Sequence, residues 1–171
     1  VAKRAHDRAA ADVRKHNAEL HSMRCTAQLK LDVARRLRDE HFYYPYNLDF
    51  RGRAYPTSPH LTHLGDDLAR GLLTFAEKRP LGPRGLRWLK IHLANLYGMD
   101  KLPLEQRVAW ADGLVEQGVL RAVHDDPLGS RAQEWWQQAD NTLQALAVAR
   151  EVHLASCAPD PAAYLSDMPV H

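Results

Sequence analysis

Two arginines flank a glycine at Arg51-Gly52-Arg53, inside a stretch crowded with aromatics, an acid and prolines that runs from Tyr43 to Pro56. Guanidinium groups stay charged and present planar, forked donors. A pair of them beside a residue without a Cβ suits phosphate, ribose or base edges that must come close to the backbone. The surrounding Tyr43, Tyr44, Phe50 and Tyr55 can stack on bases or wall off water. The same residues admit a plainer reading, in which the aromatics are core side chains and Arg51 and Arg53 simply pair with Asp49 and other acids. Pro45 and Pro56 push the residue before each toward extended backbone, so the stretch is expected to be a loop or short ribbon that no helix crosses.

Elsewhere the side chains that could do chemistry point to structure. His60 and His63 lack a third convergent ligand, which a protein zinc site requires, and read as loop hydrogen-bonders. Asp66 and Asp67 open a helix, where acids satisfy free N–H groups and the helix dipole; capping is the expectation, and a metal role the lesser alternative. Trp135-Trp136 could stack bases but have no arginine immediately beside them, so they are expected to be anchors of the fold. Cys25 and Cys157 stand far apart without a partner motif, which fits buried or reduced thiols better than a disulfide framework or zinc knuckle. No phosphate-binding glycine loop, Ser-His-Asp order or nucleophilic cysteine context occurs in the chain.

These residues have to be positioned by elements that composition and periodicity outline. The 171 residues are 45% hydrophobic and 26% charged, the make-up of a globular domain with a sizeable core. No apolar run approaches the roughly 20 residues of a membrane span, so membrane insertion is not expected. Charge is uneven: residues 1–53 carry 12 Lys/Arg against 7 Asp/Glu, or +5, and residues 54–171 carry 11 against 14, or −3, which restores the overall +2. A basic leading part is what a polyanionic partner uses, and also what a solvated face looks like.

Residues 2–40 hold neither proline nor glycine and are rich in good helix formers, which predicts one long basic helix with Leu20, Met23, Ala27, Leu31 and Ala34 as its buried stripe. Asp66-Asp67 begin a second helix, with Leu68, Leu72 and Phe75 on one face. A third starts at Gly82-Pro83, buries Leu86, Leu89, Leu93 and Leu96, and stops at Gly98; Trp88 is expected in the core. Pro103 begins a fourth, with Leu104, Val108, Ala111, Val115 and Val119 at helical spacing, and Asn141 to Cys157 forms a last one buried on more than one face. Pro159-Asp160-Pro161 breaks it, and Tyr164 to His171 reads as extended. The chain begins at Val1 and ends at His171 with no targeting pattern, and both ends read as cuts in a longer protein.

Asn47-Leu48-Asp49-Phe50-Arg51-Gly52-Arg53-Ala54-Tyr55 resembles the Asn-x-Asp-[aromatic]-Arg-Gly-Arg-x-Tyr element of the single-subunit RNA polymerases of bacteriophages and mitochondria. Gly65-Asp66-Asp67-Leu68-Ala69-Arg70-Gly71-Leu72-Leu73, Arg79-Pro80-Leu81-Gly82, Trp88-Leu89-Lys90-Ile91-His92, Trp135-Trp136 and Asp160-Pro161-Ala162-Ala163-Tyr164 follow in that family's order and rough spacing. The likeness covers residues from about 20 to 171 and is greater to the mitochondrial branch. It implies a mainly α fold: a helical, palm-proximal fragment of a right-hand polymerase with a short extended ribbon around residues 42–57. Within a single partial domain, residues 1–40 would be the basic helix, 42–58 the hybrid-contact element, 66–157 a helical palm-associated region and 159–171 the lead-in to a strand that follows. The resemblance implies that Arg53 touches the RNA–DNA hybrid near the primer end, with Arg51 and Tyr55 beside it, Asp49 orienting the guanidiniums, Gly52 permitting close backbone approach and Lys90 a further nucleic-acid contact. The parent would be a DNA-directed RNA polymerase adding nucleotides from NTPs to an RNA 3′ end on a DNA template, with Mg2+ held by residues beyond this chain, initiation factors as partners and the mitochondrial matrix as its location. The competing class is a non-enzymatic helical module whose arginines hold a protein or structured RNA; a third is a helical scaffold.

Overall fold

The computed structural model describes the backbone of residues 2–170 and the side chains of residues 7–170. Val1 and His171, expected in the first helix and the closing extended segment, lie outside the described residues, as do the side chains of residues 2–6. The chain divides into two units, one reaching to Leu61 and the other starting at Thr62.

The first unit opens with α1 (Ala2–Arg36), the helix that an unbroken run of Ala, Leu, Arg and Lys dictates. It ends short of Glu40 in a turn closed by Leu37 N–H on Val33 O and Glu40 N–H on Leu37 O. The apolar stripe is covered only along its downstream half: Ala27, Leu31 and Ala34 are half-buried and Lys30 is buried. Leu20 is exposed and Met23 is 60% exposed. Periodicity identified the face, but no described element covers its upstream part. Strands β1 (Tyr46–Leu48) and β2 (Ala54–Pro56) follow and pair antiparallel, Tyr46 opposite Pro56 and Leu48 opposite Ala54.

The second unit is a helical bundle with one small strand pair. Asp66 caps α2 (Asp67–Leu72), its carboxylate accepting from Ala69 N–H at 3.1 Å. The helix is too short to hold Phe75, which lies beyond it and is exposed, as is Leu72; the expected shared face with Leu68 does not form. Strand β3 (Arg79–Pro80) leads into α3 (Gly82–Tyr97), which has proline in its first turn and a left-handed Gly98 as its stop, as the sequence predicts. Residues 104–125 form two helices instead of the single one expected: α4 (Leu104–Glu116) and α5 (Val119–Asp125). Gly118, at φ 68°, turns the chain left-handed between them, a conformation cheap only for glycine. Helix α6 (Ser130–Trp136) and α7 (Thr142–Cys157) complete the bundle, and β4 (Leu165–Ser166) returns to pair antiparallel with β3.

Its core joins Leu89, Leu93 and Leu96 of α3 to Leu114, Leu120, Val123, Trp135, Val148 and Val152. Each fully buried Leu or Val contributes about 1.5–3 kcal/mol. The tryptophan pair behaves as anchors: Trp135 stacks on Tyr97 at 5.2 Å, and Trp136 donates its indole N–H to Pro127 O at 2.8 Å. Helix α7 buries Ala145, Ala149 and Ala155 as well as its valines, and these small side chains let α2, α3, α5 and α6 all reach it. Cys25 and Cys157 are free thiols, both exposed, so the burial expected as one option for them does not occur.

Where α5 meets α7, His124 and His153 pack ring against ring at 5.2 Å. Burial, and then the neighbouring His124, hold the His153 imidazole below its ordinary value of 6.5; Arg121 acts in the same direction and Asp125 opposes. The unfolded chain therefore takes up a proton that the folded chain resists, and the stability that the neutral ring supplies is present above 6.5 and lost as pH falls through the depressed folded value. Urea midpoints are expected to fall between about pH 7 and pH 5. His153→Gln should flatten that slope, and an unchanged slope would remove the pair as its source.

Candidate nucleic-acid interface

The loop between β1 and β2 is built by three residues in a fixed pattern. Asp49 N–H donates to Arg53 O at 2.9 Å and Gly52 N–H to Asp49 O at 3.0 Å, closing Asp49-Phe50-Arg51-Gly52 into a turn whose last residue is left-handed. That residue is Gly52, at φ 76°, the position in such hairpins that glycine fills without strain. Asp49 secures the turn with its side chain. Its Oδ1 accepts from the backbone N–H of Arg51 at 2.8 Å and of Arg53 at 2.9 Å, while Oδ2 lies 3.7 Å from Arg53 Nε. Asp49 thus steers the Arg53 guanidinium directly and Arg51 only through the backbone.

With its one acid occupied by N–H donors, the tip is electropositive and open. The Arg53 side chain is 55% exposed. The Arg51 guanidinium lies over the Phe50 ring, 5.2 Å from its centroid. Phe50 is 93% exposed and Tyr43 is 89% exposed, and Tyr46, Leu48 and Tyr55 also face solvent. Among the described residues, a Cβ placed on Gly52 would meet nothing within 4 Å beyond its chain neighbours, which leaves the backbone open to a large partner. The plainer reading of these aromatics as core holds only for Tyr44, which is half-buried and donates its hydroxyl to Leu61 O at 2.9 Å. Burial, and then Tyr46, push that phenol above its usual range.

Asp49, Arg51, Gly52, Arg53 and Tyr55 therefore come together on one hairpin. Lys90 does not belong to it: it sits on α3 with its side chain 15% exposed and its ammonium bound to Asp112 of α4. Trp88, expected in the core, is 45% exposed, with the Arg87 guanidinium 5.6 Å from its ring centroid. It falls one position outside the stripe of Leu86, Leu89, Leu93 and Leu96, so the helix turns it outward. Sequence reading also left the tip geometry unstated, although an acid at the first turn position and glycine at the fourth is its signature. Among the described residues no group of three or more His, Cys, Asp or Glu side chains could hold a metal ion.

Comparison with known proteins gives this geometry a context. The family model of the DNA-dependent RNA polymerases matches residues 79–171, more than half of the chain. The chain is 54% identical to DNA-directed RNA polymerase 2, chloroplastic/mitochondrial, of Arabidopsis thaliana, over 92% of its own length and 16% of that protein's. It is 53% identical to the mitochondrial DNA-directed RNA polymerase of Mus musculus, over 90% of its length and 12% of that protein's. The relatives are thus several times longer than the stretch they share with it.

Proposed function

The chain belongs to the DNA-dependent RNA polymerase family, and from that premise we propose that it is the part of a mitochondrial single-subunit polymerase that grips the hybrid of template DNA and nascent RNA. One observation carries the assignment: a hairpin tip that holds Arg51 and Arg53 outward around an open glycine, with exposed aromatics on both sides. Arg53 is the first contact, to the sugar-phosphate backbone. Arg51, Phe50 and Tyr55 flank it, and Asp49 holds the turn that aims them. Lys90 comes second, since a strand would have to displace Asp112 to reach its ammonium.

The full-length protein would transfer nucleotides from NTPs to the RNA 3′ end on a DNA template, in the matrix and with initiation factors. The contribution of these residues is alignment, because holding the primer end in line lowers the barrier without any proton changing hands. Polymerases of this family work with a divalent cation. We assign Mg2+, held by residues beyond this chain, on the family resemblance alone.

Arg53→Ala in the full-length polypeptide is expected to cost about 1–3 kcal/mol of hybrid affinity and to reduce the salt slope of binding by about one. The loss should be equal for different template sequences, since backbone contacts carry no base code. Hybrid affinity and salt slope equal to those of the unsubstituted protein would overturn the assignment.

A further inference from the structure

The segment after α7 is fixed laterally by main-chain bonds. Gly82 N–H donates to Ala162 O at 2.8 Å, Leu81 N–H to Tyr164 O at 3.0 Å and Phe75 N–H to Asp167 O at 2.8 Å, around the β3–β4 pairing of Arg79 with Ser166 and Pro80 with Leu165. Such bonds set spacing but are indifferent to side-chain identity. Side chains add further ties: Asp167 Oδ2 lies 3.4 Å from Lys78 Nζ, Met168 packs against the core, and the Tyr164 hydroxyl reaches back as a cross-tie to Glu151 Oε2 on α7, 3.3 Å away, the one side-chain hydrogen bond from this segment to that helix among the described residues. The other carboxylate oxygen, Oε1, is buried with no hydrogen-bond partner among the described residues, so the phenol is the donor that keeps this carboxylate turned inward. Burial and the adjacent Glu151 raise the phenol to about 12, and it remains a donor throughout the neutral range.

We propose that Tyr164, held by Glu151, is a positioning residue for nucleotide addition: the cross-tie sets the direction in which residues 165–170 leave α7. The proposal rests on the polymerase reading above and on the resemblance by which residues 159–171 lead into the strand that follows them, with the Mg2+ ligands placed beyond this chain. Helix α7 is a rigid reference, packed into the core and capped at its start by Asp67 of α2. Between its end at Cys157 and β4 lie Pro159 and Pro161 and a turn that Asp160 closes on Ala162 N–H at 2.9 Å. The phenol bridges that turn directly to the helix. Without it the carboxylate loses its donor, and the segment keeps its ties to residues 75–82 and the packing of Met168 but no hydrogen bond to α7. Reaction rates respond steeply to such a shift, about 10²-fold for a misplacement near 1 Å.

The experiment is single-nucleotide addition on a primed hybrid by the full-length polypeptide. Tyr164→Phe should lower kcat about tenfold, with KM for the NTP, Kd for the hybrid, the active fraction and Tm unchanged. Glu151→Gln, whose amide oxygen still accepts from the phenol, should retain kcat, and Glu151→Leu should reproduce the Tyr164→Phe loss. An unaltered kcat in Tyr164→Phe overturns the proposal, as does a loss explained by an equal fall in active fraction. If the unsubstituted protein itself extends no primer, the polymerase reading falls and this proposal with it, a result distinct from either of those.

Discussion

Asp67→Ala is expected to destabilise the unit from Thr62 onward by about 2–4 kcal/mol, more than the loss of a single local cap. Asp66 caps its own helix by accepting from Ala69 N–H, a bond whose removal costs about 1 kcal/mol. Asp67 faces away and serves another helix. Its carboxylate accepts from Leu143 N–H at 2.7 Å, Gln144 N–H at 3.0 Å and Gln144 Nε2 at 3.1 Å, while the side chain of Asn141 at the N-cap of α7 makes no capping bond. A negative charge there also meets the positive end of the α7 dipole. Alanine removes the charge, leaves N–H groups in a half-buried seam without an acceptor, and cuts the link between α2 and α7. Hydrogen bonds to a charged group contribute about 1.5–3 kcal/mol apiece and are not additive, which sets the range. Urea unfolding of the chain, followed by tryptophan fluorescence, measures it. Asp67→Asn keeps one acceptor oxygen and should fall between. Equal losses at Asp66 and Asp67 would show that the cross-helix cap adds nothing beyond a local one.

That contrast marks how far the sequence was legible. Local chemistry was readable: proline in the first turn of α3, glycine at its end, the leucine stripe between, and the proline break after α7 are each settled by residues within a few positions. The mainly α fold followed, and the hairpin was placed by two prolines. Legibility stopped where an outcome depends on elements distant in the chain. Asp66 and Asp67 are identical in composition and neighbours in sequence, yet Asp67 binds residues 76 and 77 positions away, a pairing no spacing rule contains. The Tyr164–Glu151 tie has the same character. Exposure was misjudged for a related reason: a stripe such as Leu20 and Met23 shows which side of a helix is apolar, and burial requires a neighbour that the stripe does not specify. Gly118 is a different case: the helical spacing from Leu104 to Val119 runs straight through it, while its left-handed backbone divides the stretch into two helices.

Gly52→Val in the full-length polypeptide should weaken hybrid binding by about 2–4 kcal/mol, more than loss of the Arg53 side chain alone. At φ 76° a β-branched residue is strained by about 1–3 kcal/mol, and the turn escapes the strain by giving up the bonds that close it. Those bonds include Asp49 Oδ1 to the N–H groups of both Arg51 and Arg53, so one substitution displaces two guanidiniums and the exposed Phe50 between them and β1. The intervening control is Gly52→Asn. Asparagine tolerates the left-handed region, and among the described residues nothing beyond its chain neighbours lies within 4 Å of the added Cβ, so the hairpin survives and both arginines stay aimed. A deficit in the Asn variant then measures how closely the hybrid approaches the backbone at position 52, and the further deficit in Val measures what the turn itself contributes. Asn should lose less than Val. A Val variant that binds the hybrid as tightly as the unsubstituted protein would show that the tip is not where the nucleic acid rests, since no other described contact compensates for moving both arginines at once.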